Sequence, residues 1–326
     1  MVLPAGRALL APSSTGAGAA PRTVEPIFHA TEVFMDTLVA IDIVGRDSER
    51  QGAVAAARAY GWFREVEARC SRFDAGSELM QLCASTGQPM PVSPLLYEVL
   101  DFALAVARAS GGAFDPTIGA TMRAAGFNRN YQTGLAIEGG EAKPGEASYR
   151  DVHMDRGRRM VALGQPLTLD LGAVAKGLAI DLAARELQGF EGFAINAGGD
   201  ILAGGLNASA EPWRVGIRHP RKPRALVDSV RVSGAAVCTS GDYERAGAAG
   251  VAHHILDPKT GRSSAHAMSV TTIAPSAMLA DALGTAAFVL GPEAGIALLE
   301  AQGIDGLIVD EGLAIHTTKS FARHRA

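Results

Sequence analysis

The chain of 326 residues carries a formal net charge of −4 and is 48% hydrophobic. It is long enough to bury a large core, and so mild an acidic balance gives no ground for nucleic acid or a strongly acidic surface as a partner. Its three cysteines, Cys70, Cys83 and Cys238, form an odd set without C-x-x-C spacing, which argues against a disulfide framework or structural zinc, and no apolar run is as long as a membrane span.

Residues 1–25 are low in complexity and rich in Ala, Gly, Pro and Ser. The run Arg7, Ala8, Leu9, Leu10, Ala11 is too short for a signal peptide, and there is no twin Arg or lipoprotein-type Cys. The expectation is a disordered tail over 1–28 and a cytoplasmic protein, periplasmic if the true start carries a signal. A first strand is predicted over 35–44 and a helix over about 50–69. Ser77 is placed as an N-cap before Glu78, Leu79 and Met80, and a second helix starts at Ser93 and Pro94, cap and then Pro at the first position. Its stripe of Leu96, Val99, Leu100, Ala103 and Val106 ends at Gly111 and Gly112. Pro116 then forces Asp115 out of the helical region, so the loop presents Asp115 and Thr117 on a fixed backbone; most Asp-Pro pairs are no more than a well-made turn.

After a Gly-rich loop from 126 to about 144 come short β-like pieces at 152–155 and 159–163. A strand over 167–170 leads through Leu171, Gly172 and Ala173 into a helix with Lys176 in its first turn, an arrangement suited to holding an anion. It is not the nucleotide P-loop, whose G-x-x-x-x-G-K-[ST] spacing is absent. The buried strand 193–195 runs into Asn196, Ala197, Gly198, Gly199 and Asp200, a second place where backbone can approach a ligand. The basic cluster over 218–224 is broken by proline and reads as a solvated loop rather than a binding patch. Further strands are predicted at 213–217, 230–232 and 235–238, then adjacent His253 and His254 open a short apolar strand stopped at Asp257 and Pro258. Residues 276–290 form a helix that is apolar on nearly every side yet contains one charge, Asp281. A buried carboxylate needs compensation, and Thr285 lies one turn on, so two oxygen ligands on one face suit a hard cation such as magnesium. A solvated or capped Asp and a Thr bonding back to its own helix account for the same window equally well. A helix over 293–301 and strands at 306–309 and 312–316 close the core, and the polar, basic end from 317 is expected to fray.

Strands and helices are interspersed without a βαβ rhythm, which gives an α+β domain with mixed or mainly antiparallel sheets flanked by helices. The order of the segments resembles the ApbE family, the FAD:protein FMN transferases. The resemblance covers roughly 34–312 and rests on eight pieces in order. They are Met35-Asp36-Thr37, Ser71-x-Phe73 with Ser77-Glu78-Leu79, Gly112-x-Phe114-Asp115-Pro116-Thr117, and Asp170-Leu171-Gly172 with Ala175-Lys176-Gly177. Then follow Asn196-x-Gly198-Gly199-Asp200, the run from Thr239 through Gly241 to Glu244, His254-Ile255-Leu256-Asp257-Pro258, and Ala280-Asp281-Ala282-Leu283-x-Thr285.

The resemblance implies a two-lobed, T-fold-like single domain over 29–318 with a frayed tail over 319–326. It implies transfer of the FMN half of FAD to a Thr or Ser hydroxyl of an acceptor flavoprotein, release of AMP, and a need for Mg2+. It places the metal on Asp281, Thr285 and the carbonyl of Ala173, and lines the FAD site with Met35, Phe73, Ala113, Phe114, Asp115, Asp170, Lys176 and Ile255. His254 matches a His that serves the chemistry. Lys176 would supply a cation or orient Asp170. Asp36 stands where the family usually has Gly, and Ala173 replaces a common Gly. An FAD pyrophosphatase giving FMN and AMP, or a non-catalytic FAD-binding protein, are the alternative readings of the same fold.

Overall fold

The fold, obtained as a computed structural model, is described over residues 27–130, 133–137, 142–243 and 253–326. The expected N-terminal tail thus lies outside the described residues up to 26, and so does Glu244. Ile27 and Phe28, expected in that tail, already belong to a strand.

The first half of the chain runs β1 (Ile27–Phe34), β2 (Thr37–Val44), α1 (Ser48–Cys70), α2 (Glu78–Cys83), β3 (Met90–Pro91), α3 (Pro94–Ala109) and α4 (Gly119–Ala124). Next come β4 (Val152–Asp155), β5 (Met160–Leu163), α5 (Gly172–Arg185), β6 (Gly192–Ala197) and β7 (Asp200–Gly205). The remainder is β8 (Trp213–Arg218), β9 (Leu226–Val232), β10 (Ala235–Gly241), β11 (Ser269–Ala274), α6 (Ala277–Leu290), α7 (Pro292–Ala301), β12 (Asp305–Val309) and β13 (Ile315–Thr317).

Eight strands form one sheet in the order β1-β2-β6-β7-β10-β11-β12-β13, each neighbour antiparallel. The expected α+β fold with mainly antiparallel strands is borne out. Alternation along the strands separates two cores. Val39, Ile41, Ile43, Ile195, Ala236, Cys238 and Val270 point to the side packed by α1, α5 and α6. Ala194, Ile201, Ala203, Val237, Ile273 and Leu307 point to the other side, where the β8–β9 hairpin covers them with Trp213, Val215, Ile217 and Val230. A small sheet, order β3-β5-β4, joins α2 and α3 on the margin of the larger core. None of the described helices is long and apolar enough to cross a membrane.

Two expected strands are not strands. Residues 167–170 run as a loop with one parallel bridge, Thr168 to Ile118, and the segment after His254 has only the bridge of Leu256 to Ser263. Both carry their backbone to neighbouring loops: the Asp170 amide donates to the Pro116 carbonyl (2.7 Å) and the Asp257 amide to the Arg262 carbonyl (2.8 Å). The expectation that the C-terminus frays is also corrected. Phe321 is fully buried in the second core, and the Ala326 amide donates to the Ser229 carbonyl (2.9 Å).

Candidate active site

Antiparallel pairing brings the start of β2, the end of β6, the start of β7 and the end of β10 to one end of the main sheet. Two hairpin tips lie side by side there. Met35 and Asp36 have φ of 50° and 62°, and Gly198 and Gly199 have φ of 65° and 105°. Two consecutive residues with positive φ give the turn whose twist matches that of the strands it joins. At Gly198 the side chain is also excluded by space, since a Cβ would stand 2.3 Å from Thr37 Oγ1. Met35 thereby sits at a tip pressed against the turn that delivers Asp200.

Helices α5 and α6 cross beside these tips. Gly177 allows the approach: a Cβ there would lie 2.4 Å from Met278 Cα. Asp181 of α5 caps α6, accepting from the amides of Ala277 (2.7 Å) and Met278 (3.0 Å). This crossing lets Lys176 reach out of α5 to Asp281 Oδ2 on α6 (2.9 Å) and to Asp200 at the start of β7. Asp200 also accepts from the Thr239 amide (3.1 Å). Asp200 and Asp281 are 4% and 8% exposed. Burial pushes the Asp281 carboxyl above the ordinary carboxylate range, and the charge and hydrogen bond of Lys176 oppose it. One ammonium between two buried carboxylates leaves a net negative charge at this point. Thr285, one turn along α6, has its hydroxyl 3.5 Å from that of Ser240 on β10, and Ala173 lies in the first turn of α5.

A second constellation adjoins the start of α5. Asp170 accepts from the Gly172 amide (2.8 Å) through Oδ1 and from Arg72 Nε (2.5 Å) through Oδ2. Arg72 is 8% exposed, lies over the Phe73 ring with 4.0 Å from guanidinium carbon to centroid, and donates to the Phe127 carbonyl (2.6 Å). The Phe127 ring in turn meets the His254 imidazole edge-on at 6.4 Å. Asp170 is therefore oriented by Arg72, and Lys176 is committed to Asp200 and Asp281. This corrects the expectation that Lys176 orients Asp170.

The loop after α3 is tied to the same wall. Ala113 and Phe114 are buried in the main core. Asp115 Oδ1 accepts from the Thr117 amide (2.9 Å) and hydroxyl (2.7 Å), and Oδ2 from the Tyr149 amide (3.0 Å). Its carboxyl is pushed up by burial and drawn down by these bonds. The Asp115 side chain thus holds the loop, so what this loop offers a ligand is backbone and the neighbouring apolar surface. The two adjacent histidines divide the work. His253 is buried, with Nε2 on the Ser264 carbonyl (2.9 Å) and Nδ1 receiving the Ile255 amide (3.3 Å), so its ring fixes the buried Ile255. His254 is half-buried and turned toward Phe127.

A family model described as the ApbE family matches residues 35–308. The chain belongs to the ApbE family. Among its relatives, the FAD:protein FMN transferase of Treponema pallidum is 34% identical, with 86% of this chain and 84% of that protein aligned. The FAD:protein FMN transferase of Klebsiella pneumoniae is 30% identical over 88% and 85%. The solved ApbE protein of Thermotoga maritima superposes with a TM-score of 0.82 at 30% identity, covering 92% of this chain and 100% of that one. The flavin transferase ApbE from Vibrio cholerae gives 0.80 at 26% identity, covering 92% and 99%.

Within this ApbE fold the donor set fits a hard cation. Among the described residues no group of three or more His, Cys, Asp or Glu side chains converges, so a closed protein cage is absent there. The site offers instead a buried carboxylate, hydroxyls and the backbone of the first turn of α5, with negative charge in excess. That suits an ion such as magnesium, which keeps waters and takes further oxygens from a phosphate substrate.

Asp200 and Arg72 were not singled out from sequence. Asp200 stood inside a motif read for its glycines, and Arg72 in an unassigned position between Ser71 and Phe73. A charged residue embedded in a run of site residues is the signal that would have found both.

Proposed function

We propose that the chain transfers the FMN moiety of FAD to a Thr or Ser hydroxyl of an acceptor protein through a phosphoester bond, releasing AMP, in a magnesium-dependent reaction. The observation that carries this reading is the Lys176 ammonium held between buried Asp200 and Asp281 beside the Ser240 and Thr285 hydroxyls, at the sheet end to which the family's motif residues converge. The relatives' names, FAD:protein FMN transferase, support the transfer of FMN from FAD to a protein.

The chemistry asks little of dedicated acid–base groups. Phosphoryl transfer is accelerated mainly by positioning and by offsetting charge. Asp281 and Thr285, with the Ala173 carbonyl, would hold magnesium, which would supply positive charge to offset that of the phosphates. Lys176, paired with Asp200 and Asp281, offsets part of the negative charge that the two carboxylates bring to the site. Arg72, Phe73 and Asp170 form a wall for the flavin nucleotide, and the loop at Phe114 continues it. His254 would receive the proton of the acceptor hydroxyl as its oxygen bonds to the flavin-side phosphorus. AMP leaves with the electrons of the broken P–O bond.

One reaction tests this: the protein, FAD, magnesium and a Thr-bearing acceptor peptide, followed by mass spectrometry with AMP assayed in parallel. A peptide that gains FMN less one water, in step with AMP, is the expected result. AMP with an unmodified peptide would make the protein an FAD pyrophosphatase, and unchanged FAD would leave it a binder.

A further inference from the structure

The β8–β9 hairpin buries one face and turns the other to solvent. Trp213, Val215, Ile217, Val230 and Val232 face inward, so Arg214, Arg218 and Arg231 alternate outward, Arg231 exposed and the other two half-buried, with Arg214 Nε enclosed and its Nη2 donating to Ser229 Oγ (3.2 Å). Arg214 and Arg231 are direct cross-strand partners. Like charges placed opposite one another destabilise a ribbon, so local folding does not account for this pair. The connecting loop adds Arg221, Lys222 and Arg224, all exposed. In a chain of net charge −4 this is a concentrated basic surface. The carboxylates on these segments do not neutralise it. Asp228 is bound by Arg325 (2.8 Å), Asp242 by Arg221 (2.5 Å), and Glu211 precedes β8, at the opposite end from the loop. Among the described residues no carboxylate pairs with Arg214, Arg218, Lys222, Arg224 or Arg231 within 4 Å.

The surface is also aimed. Arg221 clamps the loop to Asp242, two residues beyond Ser240, whose hydroxyl faces Thr285. The Arg218 guanidinium lies 5.7 Å from the Tyr243 ring. The loop therefore stands at the rim of the site, and from Arg218 the outward arginines lead back along the hairpin for about 13 Å at the usual rise per strand residue. A track two strands wide that starts at the rim has the dimensions of an extended polypeptide.

We propose that this face, bearing Arg214, Arg218, Lys222, Arg224 and Arg231, docks an acidic segment of the acceptor protein and leads its hydroxyl to the site. The identification of the occupant rests on the transferase reading above. Charge complementarity of this kind sets partner choice and encounter rate, and it is screened by salt.

The test uses the full chain and the triple variant Lys222→Glu, Arg224→Glu, Arg231→Glu, whose positions are exposed and outside the site. Two fluorescent peptides share a Thr-bearing core, one flanked by a run of Asp and Glu, the other by Gln and Asn. Binding is read by anisotropy and FMN transfer by mass spectrometry, each at low and high salt. The unaltered protein is expected to bind and modify the acidic peptide about tenfold better at low salt, with the gap closing at high salt. The variant loses the gap while its FAD affinity and its rate on the neutral peptide stay unchanged. A gap that survives in the variant, or is absent from the unaltered protein, overturns the proposal. Variant-sensitive binding to phosphatidylglycerol vesicles without peptide preference would give the face to a membrane and overturn it too. If the acidic peptide binds through the track but neither peptide gains FMN while FAD is consumed, the transferase reading fails and the acceptor is no longer the occupant.

Discussion

Lys176 decides the electrostatics of the site, because two buried carboxylates depend on one ammonium. Lys176→Met leaves both uncompensated, and breaking a buried pair in this way costs about 3–5 kcal/mol. The loss depends on pH with a definite sign. Burial already holds the Asp281 carboxyl above its ordinary value, and removing Lys176 raises it further. A carboxyl whose folded value exceeds its unfolded value stabilises the fold at low pH and loses that contribution as pH rises through the folded value. Urea denaturation of the variant should therefore show a larger deficit against the unaltered protein at pH 8 than at pH 5; a deficit equal at both would remove the carboxylates as its cause. Arg72 makes a different prediction. Its guanidinium pairs with Asp170, stacks on Phe73 and bonds the Phe127 carbonyl at once. Arg72→Met should weaken FAD binding about tenfold by calorimetry, and Arg72→Lys should recover only part, since an ammonium supplies neither the planar stack nor the fork. Unchanged FAD affinity in both would detach this wall from the flavin site.

At the scale of elements, the crossing of α5 over α6 is the joint on which the site depends. Gly177 has no room for a methyl group beside Met278, so Gly177→Ala must push the helices apart. The expected cost is about 3 kcal/mol, the upper range for overpacking, read as a lower denaturation midpoint. The shift also separates Lys176 from Asp281, so magnesium should protect the variant against heat less than it protects the unaltered protein. If both are protected equally, the crossing does not set the cation site. These elements differ in how far sequence reveals them. The Asp281 helix is legible because an apolar run with a single acid reads as a buried helix, and its expected span of 276–290 agrees with the structure, where Ser276 is the cap. The hairpin β1–β2 is not, because its turn uses Met35 and Asp36 in the left-handed region, where Gly or Asn would have marked it. The loop at 167–170 has the composition of a strand, yet its backbone bonds are taken by Pro116 and Gly119. Asp115 resembles a ligand in sequence, and only the positions of Thr117 and Tyr149 show its carboxylate to be a loop anchor.

At the scale of the whole molecule, the C-terminus closes the side of the sheet away from the helices, and a single buried carboxylate holds it. Asp305, at the start of β12, is 2% exposed. It accepts from Ser320 (2.5 Å) and Thr318 (3.0 Å) and meets Arg323 (2.6 Å) and His324 (2.9 Å). The tail's basic residues suggested fraying because nothing in the tail itself reveals that a partner lies inside the sheet. Burial alone would raise the Asp305 carboxyl, but the bonds from Ser320, His324 and Thr318 and the charge of Arg323 outweigh it and hold it below the ordinary range. A carboxyl depressed in the folded state stabilises the fold above its unfolded value and loses that contribution as pH falls through its folded value. Acid should therefore release the tail before neutral conditions do, and Phe321 with it. Asp305→Asn removes the charge while keeping the shape, and should cost about 2–3 kcal/mol at pH 7, most of it gone at a pH below the folded value. Hydrogen exchange gives the local readout: at pH 7 the amides of β12 and of residues 318–326 should lose protection in the variant, whereas those of α5 and α6 should not. Loss of protection spread evenly over both cores would mean that Asp305 supports the sheet as a whole rather than its C-terminal closure.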